Sequence, residues 1–341
     1  MRAFITGLAG TTLTTAERQF VQEAAPWGLI LFKRNVTTPD VLRRLIAEFR
    51  EAVGRQAPVL VDQEGGRVQR LGPPHWRKYP PGAAYGAVFD RDPDAGLRAA
   101  RLGGRLIAND LAQLGIDVDC APVADVPAAG ADPVIGDRAY GADPAKVAAL
   151  AGAFAMALTT GGVLPVLKHL PGHGRATADS HQRLPVVTTD RATLDATDFA
   201  AFRPLCGLPL GMTAHVVFTA VDPVAPATTS ANIVKHVIRD SIGFTGLLMS
   251  DDISMGALSG SLSERSRAAI AAGCDVVLHC NGVLSEMVEV AAEAPALAGD
   301  AARRAAAALA ARKPPAPLDI AAGRAALARL LSDVRPEAGF A

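Results

Sequence analysis

The 341-residue sequence contains no run of about 18 apolar residues, the length that a membrane-spanning helix needs. It carries no excess of either charge. Lys plus Arg and Asp plus Glu each number 34, so no basic face calls for nucleic acid and no acidic tail suggests a solvated arm. Aromatic residues make up 5% against a hydrophobic fraction of 50%, the balance of an Ala/Leu/Val-rich α/β protein. Cysteines are few. Cys120, Cys206, Cys274 and Cys280 lie in apolar surroundings with no Cys-x-x-Cys spacing, and read as reduced core residues. Residues 1–7 hold one basic residue and too short an apolar core for a secretion signal, so a first strand and a cytoplasmic protein are expected.

What is present is an alternation. Short apolar runs at residues 3–6, 28–32, 58–61, 118–123, 162–167, 208–213, 246–250 and 275–278 read as strands. Amphipathic stretches separate nearly all of them: one opened by Thr15 as a cap, then residues 39–53, 93–114, a run to 159, and another from 230. Strands alternating with helices imply a parallel sheet, and about eight such units imply a closed (β/α)8 TIM-type barrel. The alternative, an open doubly wound sheet, is disfavoured because no Gly-x-Gly-x-x-Gly follows a first strand. The C-terminal part is Ala-rich and helical, with a last helix near residues 322–331. The reading is therefore one domain: a barrel over residues 1–312 and a helical extension over 313–341 packed on it.

Ionisable residues collect where these strands end: Asp62, Asp125, Lys168, His169, His215 and Asp251, with Arg138 a little further out. In a barrel of this type those positions carry the chemistry. A lone Asp after a strand is as readily a turn former or helix cap. The whole set is not explained that way.

The densest stretch is Lys168-His169-Leu170-Pro171-Gly172-His173-Gly174, followed by Asp179-Ser180-His181. Asp179 and His181 are two apart, so in an extended segment their side chains share a face. A carboxylate there orients the imidazole for proton transfer. Lys168 and His169 read as clamps for substrate oxygens, and His173 as a structural bridge within the turn. Pro171 and Gly172 prevent the helix that would align His169 and His173 as metal ligands. Of Asp251 and Asp252, alternation sends one into the barrel. Asp251, near Arg138 and Lys168, is the inward nucleophile candidate, and Asp252 is expected to cap the following helix.

These residues resemble a known family. The Lys168–Gly174 and Asp179–His181 stretches look like the signature of glycoside hydrolase family 3, in its β-N-acetylhexosaminidase branch. Asp62-Gln63-Glu64-Gly65-Gly66-Arg67-Val68-Gln69-Arg70, Val134-Ile135-Gly136-Asp137-Arg138 and Ser250-Asp251-Asp252-Ile253-Ser254-Met255 are similar to further motifs of that branch, in the same order. Leu170 stands where the family more often has Phe, a packing change. The resemblance implies a retaining enzyme for terminal β-linked N-acetylglucosamine, with Asp251 as nucleophile, His181 as acid/base and Asp179 as its partner. It places Asp62, Arg70, Arg138, Lys168 and His169 around the sugar.

No cofactor or metal is expected, and the partner is a small carbohydrate, of the muropeptide kind handled in cell-wall recycling, acted on by a monomer or homodimer. Larger members of the family take a site residue from a second domain. Here the acid must come from the barrel, which suits a mobile-looking loop bearing His181. Retaining glycosidases ordinarily use two carboxyl groups. A neutral imidazole does not repel anions, which leaves phosphate as well as water as an acceptor. Two other readings use the same residues. A metal-dependent barrel hydrolase would take His169, His173 and Asp251 as ligands and lose activity on chelation. A non-catalytic amino-sugar-binding protein would keep Asp62, Arg138 and Lys168 but could dispense with Asp179 and His181.

Overall fold

A computed structural model describes residues 1–332; the last part of the expected C-terminal extension lies outside them. Eight parallel strands close into one barrel: β1 (Arg2–Thr6), β2 (Pro26–Leu31), β3 (Val59–Val61), β4 (Val118–Asp119), β5 (Leu164–Leu170), β6 (Leu210–Thr213), β7 (Leu247–Asp252) and β8 (Val276–His279). Closure is the pairing of β1 with both β2 and β8. The strands are buried on both faces, which is why they read as continuous apolar runs.

Alternate residues fill two separate cores. Ile5, Ile30, Leu60, Val118, Leu164, Val166, Met212 and Met249 point inward and pack the barrel interior. Their neighbours in sequence, among them Phe4, Leu29, Val61, Leu167 and Leu248, face the surrounding helices. The helix Gly299–Ala310 joins the inner core through Ala305 and Ala308, against the end of the barrel remote from the polar residues. The last described helix, Ile320–Leu331, packs on the long helix Pro93–Ala112.

Local chemistry sets the helix starts. Thr38, Asp92 and Asp143 each accept a backbone N–H in the first turn, and each precedes a proline at the first helical position. Thr14, not Thr15, caps the first helix: its hydroxyl accepts from Glu17 N while the Glu17 carboxylate accepts from Thr14 N. The Thr15 reading was one residue off because only Thr14 has an acid three positions on.

Two strands differ from expectation. β4 ends at Asp119, since Pro122 has no N–H to continue the ladder and only a single bridge, Val123 to Lys168, follows. β5 runs on to Leu170, so Lys168 and His169 belong to the strand itself. All four cysteines are free. Among the described residues no helix is long and apolar enough to cross a membrane.

Candidate active site

The strand ends converge on a cavity of about 250 Å³ at the C-terminal mouth of the barrel. Asp62, Arg70, Arg138, Lys168, His169, Asp179, His181 and Asp251 all line it. Residues from five separate stretches of sequence thus meet in one place.

One wall is a charge cluster. Lys168 Nζ lies 2.9 Å from Asp62 Oδ1 and 2.6 Å from Glu64 Oε1. Arg138 donates through Nε and Nη2 to the two Glu64 oxygens, each at 2.8 Å, a bidentate pair. Arg70 Nη2 donates to Asp62 Oδ2 at 2.8 Å, and its guanidinium lies 5.0 Å from the centre of the Phe32 ring. Burial would raise the Asp62 and Glu64 carboxyls, but Lys168, Arg70 and Arg138 outweigh it and hold both well below the ordinary range. By the same balance, burial works against the Lys168 cation and its two carboxylate partners raise it.

The turn bearing this wall needs glycine. Gly65 has φ +96°, and a Cβ there would sit 2.2 Å from the Pro80 carbonyl oxygen. Glu64 was not singled out from the sequence. Its signal was available: it stands two residues from Asp62, on the same face of an extended segment.

The second wall is β5 and its loop. His169 Nδ1 lies 2.7 Å from Asp125 Oδ2, and Asp125 Oδ1 accepts the His173 amide at 2.7 Å. His173 Nε2 lies 3.1 Å from Ser180 Oγ, so it ties the strand end to the next loop, beyond the turn that the sequence suggested. Burial and the neighbouring His169 push the His173 ring down to about 4, which leaves it neutral near pH 7. His181 Nδ1 lies 2.7 Å from Asp179 Oδ1, and the same oxygen accepts the His181 amide at 2.9 Å. The His181 side chain is 66% exposed, the least buried of the group.

The loop is tied at its backbone to the segment after β7: Gly256 N and Ala257 N donate to the His181 and Ser180 carbonyls. A Cβ on Gly256 would stand 2.9 Å from the His181 and Gln182 oxygens, so only glycine allows the approach.

On β7, Asp251 faces the cavity and accepts the Asp252 amide at 2.8 Å. Burial pushes its carboxyl up; the His215 and His169 rings, that amide and Lys168 bring it below the ordinary range. Arg138, expected beside it, is committed to Glu64 instead. Asp252 does not cap the following helix, which starts at Leu262 with Ser261 as its cap; it accepts from Ser254 N and Ser254 Oγ at 3.0 and 2.7 Å and forms the turn after β7. His215 is held at both ring nitrogens, 2.7 Å from Thr228 Oγ1 and 3.0 Å from the Asp252 carbonyl, and burial lowers its pKa. It supports the floor of the site and has no free nitrogen to offer.

Carboxylates at strand ends, a carboxylate–imidazole pair on a loop and a charged wall suited to hydroxyl groups are the equipment of a sugar-cleaving barrel. Residues 7–307 match the glycosyl hydrolase family 3 N terminal domain, and the chain belongs to that family. It is a glycoside hydrolase.

Its relatives narrow the comparison. A β-hexosaminidase of Alkalilimnicola ehrlichii is 42% identical over 281 residues, 81% of this chain and 79% of that one. Native NagZ from Neisseria gonorrhoeae superposes with a TM-score of 0.81 at 33% identity, covering 97% of this chain and 98% of the other. A family 3 β-N-acetylglucosaminidase from Paenibacillus sp. str. FPU-7 gives a TM-score of 0.86 at 28% identity, over 96% of this chain and 66% of that longer one.

Proposed function

We propose that the enzyme removes terminal, non-reducing β-linked N-acetylglucosamine with retention of configuration, from small muropeptide-type substrates. The observation that carries this reading is that Asp251 and the Asp179–His181 pair reach the same cavity, whose wall is the Asp62–Lys168–Glu64–Arg138 cluster. In the first step the Asp251 carboxylate attacks the anomeric carbon while His181 gives its Nε2 proton to the departing glycosidic oxygen. The bond to the aglycone breaks, and the sugar remains as an ester on Asp251. In the second step His181 takes a proton from water, the water oxygen attacks the anomeric carbon, and the Asp251 carboxylate leaves. Asp179 holds the Nδ1 proton and so keeps Nε2 toward the reacting oxygen. Asp62, Arg70, Arg138, Lys168 and His169 bind the sugar hydroxyls and the acetamido group.

The muropeptide aglycone, a cytoplasmic site of action, a monomeric or homodimeric state and a catalytic unit spanning residues 1–312 complete the proposal. The names of the relatives support the sugar. A panel of nitrophenyl β-glycosides, with and without phosphate, tests it. The N-acetylglucosaminide should be cleaved far faster than the glucoside, and the first product seen by NMR should be the β-anomer. An α-anomer as first product would remove the covalent step. A glycosyl phosphate formed when phosphate is present would make phosphate the acceptor in the second step.

A further inference from the structure

One fully buried carboxyl lies behind the charged wall and takes no part in the chemistry above. Asp119, the last residue of β4, has no solvent exposure. Its Oδ1 accepts the backbone N–H of Gln63 at 3.0 Å, and its Oδ2 is buried with no hydrogen-bond partner. Gln63 opens the short strand Gln63–Gly65, which pairs antiparallel with Val68–Gln69, and it stands between Asp62 and Glu64. Its own side chain ties this hairpin to the chain just past its second strand, accepting from Arg70 N and Leu71 N at 3.0 Å each and donating to Leu71 O at 2.9 Å. Asp119 therefore holds the Gln63 amide, between Asp62 and Glu64, and the Gln63 side chain in turn holds the Arg70 amide.

We propose that Asp119 is a positioning residue for the sugar-binding wall, and that it holds the Gln63 amide as a neutral carboxylic acid. The groups around it favour that form. Lys168, from β5, is a cation that lowers it, and that ammonium is already shared between Asp62 and Glu64, both anionic and both acting on Asp119 in turn. Cys120 beside it and Tyr140 near it are kept neutral by burial, which raises the thiol and the phenol. An ionised Asp119 would leave Oδ2 as a buried anionic oxygen without a donor, next to two carboxylates. Burial raises this carboxyl to about 8, more than the Gln63 amide and Lys168 lower it. Ionisation above that pH adds a third anion behind Lys168, weakens its hold on Asp62 and Glu64, and loosens the wall.

The proposal rests on the wall being the sugar site, so its test has one arm that needs no sugar. In the ligand-free enzyme, infrared difference spectra between wild type and Asp119→Asn should show a carboxylic-acid band at pH 7 that fades as the pH passes about 8. In the second arm, the Kd for N-acetylglucosamine is measured by calorimetry across that pH range, a readout that needs no proton transfer by His181. The wild-type Kd should rise several-fold above about pH 8, and Asp119→Asn, fixed in the neutral shape, should lose that rise. Asp119→Ala, which drops the Gln63 amide, should weaken binding about tenfold even at neutral pH. An Asp119 ionised at pH 7, an alkaline rise that persists in Asp119→Asn, or an unchanged Kd in Asp119→Ala would each overturn the proposal. A wild type that does not bind the sugar at any pH would count against the substrate, and the infrared arm would still decide the protonation state.

Discussion

The two sides of the cavity are built differently. The Asp62–Glu64–Lys168–Arg138 wall is dry: the Lys168 side chain is 3% exposed, and every charge meets an opposite one within 2.9 Å. The Asp179–His181 pair stands on a loop, its imidazole mostly in solvent and held by a single carboxylate. A wall that binds must keep its donors and acceptors fixed, and interlocked ion pairs on strand ends do so. A proton carrier must meet substrate and water in turn, which favours exposure. On the proposed mechanism, charge is buried here for binding and left open for transfer. Asp251 lies between the two, partly exposed yet embedded at the end of β7.

The largest effect should come from the residue common to both sides. Asp251→Ala should lower kcat by about four orders of magnitude or more, with the fold retained on thermal melting, because on the proposed mechanism it removes the covalent step, and it removes little packing. Asp252→Ala should instead lower stability by about 1 kcal/mol through its lost turn, with activity reduced far less. The reverse pattern would transfer the nucleophile to Asp252.

Breaking the dry wall should show in stability as well as in binding. Lys168→Met leaves Asp62 and Glu64 without their shared cation, which should cost about 3–5 kcal/mol at neutral pH and raise KM strongly. Asp179→Asn, on the wet side, should change stability by no more than about 0.5 kcal/mol. Equal destabilisation by the two would mean that the buried wall and the open loop contribute alike to stability.

A smaller effect sharpens the same contrast. Asp62 and Glu64 have pKa values below those of the unfolded chain, so their ion pairs contribute fully above about pH 4 and are lost as the pH falls toward the folded values. The Tm difference between wild type and Lys168→Met should therefore shrink on acidification below about pH 4, as neutral carboxyls no longer need the cation. A constant difference down to acid-induced unfolding would mean that Lys168 acts through packing alone.

The barrel was legible because both faces of its strands are buried, so each appears as an apolar run cut off by a charge; Asp62, Lys168 and Asp251 all mark such ends. Partners were much less legible. Arg138 was assigned toward Asp251, but it spends its guanidinium on Glu64, 74 positions away in sequence. Nothing local encodes that pairing. Asp119 was hidden for the opposite reason: one carboxylate inside an apolar strand looks like an interruption until the Gln63 amide is seen above it. The Asp179–His181 pair was legible because it is local, two residues within one turn. The backbone bonds from Gly256 and Ala257 that fix its loop come from a distant segment and were not.

The role proposed for His181, transfer of the proton, is read from how the loss of activity depends on the leaving group. His181→Ala should be measured on a disaccharide and on a dinitrophenyl glycoside, with and without azide. Sugar leaving groups need a proton, whereas dinitrophenolate departs unaided. The account predicts a loss of about 10²–10⁴-fold on the disaccharide and a much smaller one on the dinitrophenyl glycoside. Azide should restore turnover of the activated substrate by attacking the sugar ester on Asp251. Equal losses on both substrates, with no rescue by azide, would contradict it and leave His181 as a residue that only positions the sugar.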